Sequence, residues 1–169
     1  MATKTAQNPK VAQGPVMETV ELYILNGQSW SAGQFLNVDA SGLLNTCASD
    51  DDAGTGGGVK YYALTAQTDP GNSTTKATVG VITSDHVFEI NVYHGTAASA
   101  VAPITVIGQQ YALYVASNVC WCDISDTTNV VFTVVDVASE YEPMQNLATD
   151  IYGLVRVSIL DTVLQCKPA

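Results

Sequence analysis

Residues 77–94 read ATVGVITSDHVFEINVYH, and their pattern decides the fold class. Two runs rich in β-branched and aromatic residues, 77–83 and 86–94, are separated only by Ser84 and Asp85. In the second run His86, Phe88, Ile90, Val92 and His94 fall on one face of a strand, because successive side chains point to opposite sides. The two-residue gap predicts a hairpin or a sharp corner.

Working outward, the same signal recurs. TVELYIL at 19–25, QFLNV at 34–38 and KYYALTAQ at 60–67 precede the block. QYALYVA at 110–116 and VCWCDI at 119–124 follow it, split by the turn pair Ser117-Asn118. NVVFTVVDV at 129–137 and IYGLVRVSILDTVLQ at 151–165 complete the set. The count is about nine strands joined by short polar turns, which predicts an all-β domain, a β-sandwich or β-barrel-like fold. Only GTAASAVAP at 95–103 and MQNLATDIY at 144–152 suggest a helical turn. No internal repeat stands out, which argues against a long fibre. Residues 1–18 have few large apolar groups and read as an extended N-terminal arm before a single domain at 19–169. The arm is either a frayed terminus or a segment that orders on a neighbouring subunit. Two loops, SDDDAGTGGG at 49–58 and TDPGNSTTK at 68–76, should be exposed and mobile.

Composition narrows the function. The chain has 169 residues, 47% of them apolar, enough to bury a real core. Charged residues are only 13%, about half the usual share, so the surface is polar but largely uncharged. Six basic residues stand against 16 acidic ones, a net charge of −10. Direct nucleic-acid binding needs clustered Lys and Arg, and Arg156 is the only arginine. Anionic membranes are disfavoured for the same reason. MATKTAQNPK lacks the apolar run of a signal peptide, and no stretch approaches the ~20 apolar residues of a membrane span. The expectation is a chain made in a cytosol-like compartment.

Each candidate for chemistry fails on a spacing. Gly58-Val59-Lys60-Tyr61 lacks the Gly-Lys-Ser/Thr ending of a phosphate loop. Asp50-Asp51-Asp52 lacks the alternating ligands of a calcium site and reads as a solvated loop. Ser84-Asp85-His86 is contiguous, whereas triads converge from separate segments. His86 and His94 on one unbroken strand would lie ~26 Å apart at about 3.3 Å per residue. Cys120 and Cys122 flank Trp121, share a face, and read as small buried hydrophobes in preference to a disulfide. With Cys47 and Cys166 they match no zinc pattern. Asn72-Ser73-Thr74 is a glycosylation triplet without a secretory signal. No catalytic, cofactor-binding or metal residue is assigned, and no enzyme activity is expected.

The stretch from about Gly33 to Val137 runs GQFLNVDASG, YYALTAQTDPG, VITSDHVFEINVYHG and IGQQYALYV. It resembles the head decoration, or cement, proteins of tailed bacteriophages. The resemblance implies a β-rich, often trimeric virion protein on the outer capsid surface, made in the host cytoplasm. Its partner would be the major capsid protein, whose neighbouring subunits it ties together. Residues 1–18 look like the arms with which such proteins grip the shell or each other. Deleting that arm is then expected to leave a folded domain with weaker attachment. Two alternatives are another virion component (neck, tail or fibre base) and a carbohydrate-binding β-sandwich with Trp30, Trp121 and the Tyr61-Tyr62 pair as its sugar platform.

Overall fold

The structure is a computed structural model. It describes residues 7–49, 58–96, 104–137 and 153–164. Within them lie eleven strands: β1 (Lys10–Gln13), β2 (Thr19–Tyr23), β3 (Phe35–Val38), β4 (Leu44–Thr46), β5 (Tyr61–Tyr62), β6 (Lys76–Val81), β7 (Val87–Tyr93), β8 (Gln110–Ala116), β9 (Val119–Asp123), β10 (Val130–Val137) and β11 (Leu154–Ile159). A 3-10 turn at Ile104–Val106 is their only helical element. The all-β class is as expected. Every one of the nine segments read from sequence holds a strand, and β1 and β4 are additions. The acidic stretch 50–57, most of 95–103 and all of 144–152 lie outside the described residues.

The strands form two sheets, and each curls into a ring. The first runs β2-β6-β5-β3-β4. A parallel bridge between Ile24 and Leu44 returns its end to its beginning, with Leu25 N–H donating to Leu44 O at 2.9 Å. The second runs β7-β11-β10-β8-β9, and β9 pairs in parallel with β7 at Val92↔Cys122 and Tyr93↔Asp123. All other pairings between these strands are antiparallel. Each ring is thus a small five-stranded barrel closed by one parallel contact. The turn Thr83–Asp85 carries the chain between them as a corner, not a hairpin, since β6 and β7 belong to different sheets.

The two barrels are the same unit twice, which corrects the expectation that the chain holds no repeat. In each, the five strands taken in chain order are arranged first-fifth-fourth-second-third. The registers agree as well. Thr19 faces Gly80 as Val87 faces Ser158, and Leu36 faces Tyr61 as Tyr111 faces Phe132. Gly33 N–H donates to Ala63 O (2.7 Å) and Ala63 N–H to Gln34 O (2.9 Å). Gly108 N–H donates to Val134 O (2.8 Å) and Val134 N–H to Gln109 O (3.0 Å) in the same way.

Packing follows the same plan. Ile24, Leu36, Leu44, Tyr61, Ala63 and Val79 fill the first barrel. Their register twins Val92, Tyr111, Cys122, Phe132, Val134 and Val157 fill the second. Burying a large apolar side chain contributes about 1.5–3 kcal/mol, which fixes the inward face of alternating strands such as β11, while β3, β8 and β9 are buried over consecutive residues. Between the barrels, Phe35, Cys47, Val59 and Ile82 of the first join the cluster of the second. Phe35 meets Phe88 edge-on at 5.1 Å and lies 5.8 Å from Phe132. Val59 bridges Leu164 beyond the last strand.

Candidate functional site: the arm seam and the nominated side chains

Because β9 reaches β7 only at Val92 and Tyr93, the first half of β7 is left with an unpaired edge. Residues of the N-terminal arm fill it. β1 runs antiparallel to β7, with Lys10 opposite Glu89 and Gln13 opposite Val87 across a bulge. All four β1 side chains are exposed, so backbone pairing and not burial makes this strand.

Just before it, the arm is stitched to both barrels. Gln7 N–H donates to Asn91 Oδ1 at 2.9 Å. Asn8 Oδ1 accepts from Cys120 N–H (3.1 Å), and its amide nitrogen donates to Asn118 O (3.1 Å). The Asn8 side chain thereby caps the backbone of β9 where β7 has parted from it. Pro9 is buried, and its carbonyl accepts the Tyr62 hydroxyl at 2.7 Å. Gly33 makes the approach possible: a Cβ there would sit 2.8 Å from Pro9 O and 2.9 Å from Asn8 Cβ. Gly14 lies as closely on the corner, where a Cβ would meet Asp85 O at 2.9 Å and His86 Cδ2 at 3.1 Å.

His86 lies under this crossing, 1% exposed. Its Nδ1 accepts Thr83 N–H at 3.0 Å, and Thr83 Oγ1 is 2.9 Å away. His94 stands just beyond the other end of β7, its Nδ1 accepting Thr96 N–H at 3.0 Å. The two histidines therefore act as local caps. No group of three or more His, Cys, Asp or Glu among the described residues is placed to hold a metal ion.

The remaining nominated residues do not converge. Cys120 and Cys122 are fully buried free thiols. Burial pushes the Cys120 thiol up to about 12 and raises that of Cys122 further, so neither forms a nucleophilic thiolate near neutral pH. Lys60 lies over the Tyr61 ring at 5.7 Å. Asp50, Asp51 and Asp52 lie outside the described residues. The 68–76 tip is exposed but internally tied: Asn72 Oδ1 accepts from Thr74 and Thr75, and Asp69 Oδ1 from Gly27 and Gly71.

The sugar platform nominated from sequence is dispersed. Trp30 is inside the first barrel and donates to Thr65 O at 3.2 Å, and Tyr61 is buried beside it. Tyr62 lies between the barrels, 5.5 Å from Phe88. Trp121 is 8% exposed, edge-on to Tyr93 at 6.4 Å. A pair that sequence reading missed is Tyr93 and Tyr114, from strands on either side of β9, stacked at 3.8 Å and 13°. Hydrogen bonding between their hydroxyls raises the Tyr93 pKa. Each ring covers one face of the other, which leaves a poor surface for a sugar.

No helix among the described residues is long and apolar enough to cross a membrane. No family model, no curated protein and no solved structure matches the chain significantly.

Proposed function

We propose that the chain is a head decoration protein of a tailed bacteriophage, seated on the outer capsid surface and tying neighbouring major capsid subunits together. The observation that carries this reading is the sequence block VITSDHVFEINVYHG followed by IGQQYAL. The architecture supports it. Two small barrels, with Phe35, Cys47, Val59 and Ile82 of the first packed into the core of the second, make a rigid unit, and the thiols and His86 are buried where they serve packing. Outward-facing resources are polar side chains and backbone edges, which suit binding by strand addition.

The test is reconstitution on particles. The purified chain is expected to bind assembled heads and not free capsid subunits, and to raise the temperature at which heads release DNA. Electron microscopy of virions without density for this chain would end the proposal.

A second reading is a neck, tail or fibre-base component, since the duplicated barrel removes the argument from a missing repeat that stood against a fibre. Binding to isolated tails, with none to heads, would favour it.

A further inference from the structure

In β7, Val92 N–H donates to Gly153 O, while Tyr93 O accepts from Ile124 on the other side. Even-numbered residues thus turn their backbone groups towards β11, and odd-numbered ones towards the edge that takes β1 and β9. Its twin β2 obeys the same rule. Ile24 N–H donates to Thr75 O, and Glu18 O accepts from Val81 N–H. Thr19, Glu21 and Tyr23 therefore turn their N–H and C=O groups away from β6. The twin positions on β7 carry a strand there. On β2 no strand among the described residues covers Thr19 and Glu21, and β4 reaches only the Tyr23 end through the Ile24–Leu44 bridge.

β1 has the complementary deficit. Lys10 and Gln13 are turned towards β7, which leaves Val11 with its N–H and C=O outward and its side chain 42% exposed. Several other open edge positions are capped by side chains, as Asn8 caps β9, Gln28 caps Thr46 and Ser49 caps Val115.

We propose that these two edges meet between copies: β1 of one chain adds antiparallel to β2 of the next. Each β1 then lies between twin strands, its own β7 and the neighbour's β2. Charge fits the pairing. The arm has no acid before Glu18 and carries Lys10, whereas exposed Glu18 and Glu21 border the β2 edge. Glu21 faces uncharged Thr78 across its own sheet. Its twin Glu89 already has Arg156 at 3.8 Å. The contact joins two different surfaces, so copies add head to tail and close into a ring if the rotation allows. This inference does not rest on the capsid reading, and the free protein suffices to test it.

Sedimentation velocity on the full chain, across a wide concentration range, is the experiment. Val11→Pro removes an outward donor from β1, and Glu21→Pro removes one from β2; neither removes a bond to the strand's own neighbour. Wild type is expected to self-associate, and each variant alone to sediment as a monomer. An equimolar mixture of the two should form a dimer and stop there, because one usable edge remains on each partner. A monomeric wild type at every concentration, a single variant that still associates, or a mixture that stays monomeric would each overturn the inference. Should either proline variant fail to fold by circular dichroism, amide exchange on wild type decides. Exchange at Val11, Thr19 and Glu21 should slow at least tenfold from dilute to concentrated protein; no concentration dependence would refute the pairing.

Discussion

The first barrel closes where Ile24 bridges Leu44 and is filled by its own residues, Trp30 included. The second closes only over Val92 and Tyr93, leaves half of β7 to the arm, and shares its core with Phe35 of the first. One strand plan therefore supports two degrees of independence. Unlike positions show where the difference arises: Thr105, as far before Gly108 as buried Trp30 is before Gly33, is exposed and lies outside the core cluster of the second barrel. The same holds for Phe35, whose twin Gln110 is exposed. The chain of the first unit reaches across to complete the second, and the reverse contribution is smaller.

That asymmetry can be broken first at Phe35. Phe35→Ala should cost about 3–5 kcal/mol in urea unfolding, while Gln110→Ala should stay within ~0.5 kcal/mol. Similar losses at both would mean the barrels do not share a core.

Alkali should act on the second barrel through its thiols. The Cys120 pKa is raised from 9.0 to about 12, so its contribution is complete below pH 9 and is lost as pH rises from 9 to 12. At about 1.4 kcal/mol per tenfold, the full loss approaches ~4 kcal/mol. Stability of Cys120→Ala should fall less steeply over this window, and parallel curves would exclude the thiol as the cause.

Smaller effects separate the twin glycines. Gly33 and Gly108 both have left-handed backbone, at φ 84° and 81°, so alanine at either incurs about 1–2 kcal/mol of strain. A Cβ at Gly108 meets nothing within 4 Å, whereas one at Gly33 strikes Pro9 and Asn8. Gly33→Ala alone should therefore expose the arm to limited proteolysis. Tyr62→Phe removes the hydroxyl bond to Pro9 O and should cost about 1 kcal/mol. Arm cleavage that is equal in Gly33→Ala and Gly108→Ala would deny Gly33 its part in seating the arm.

Strand positions were largely legible because each barrel strand alternates buried and exposed residues or carries a dense apolar run. β1 was not, since Lys10–Gln13 bury no side chain, and β4 is only three residues long. The duplication was hidden for a different reason. Many twin positions share an inward orientation, not identity: Leu36 and Tyr111, or Leu44 and Cys122, fill their barrels with unlike side chains. Glu21 and Glu89, Gly27 and Gly95, and Gly33-Gln34 and Gly108-Gln109 are among the few that match. Spacing between twins also changes from strand to strand, which blurs any fixed period. The aromatic platform failed because Trp30 and Tyr61 answer to the barrel interior, while Tyr93 and Tyr114 are brought together only by the parallel closure of β9 on β7.

The arm that completes the second barrel leaves the ribosome before the strands it binds. Its binding edge on β7 is made about eighty residues later, and the β9 segment that Asn8 caps later still. During synthesis the first barrel has all its strands once Val81 has emerged, while the arm must wait unpaired. A short segment with Lys10 at its head and no buried side chain is suited to waiting, because it offers little for a stray strand edge to hold. The closure of the second barrel thus depends on residues made well before the strands that receive them.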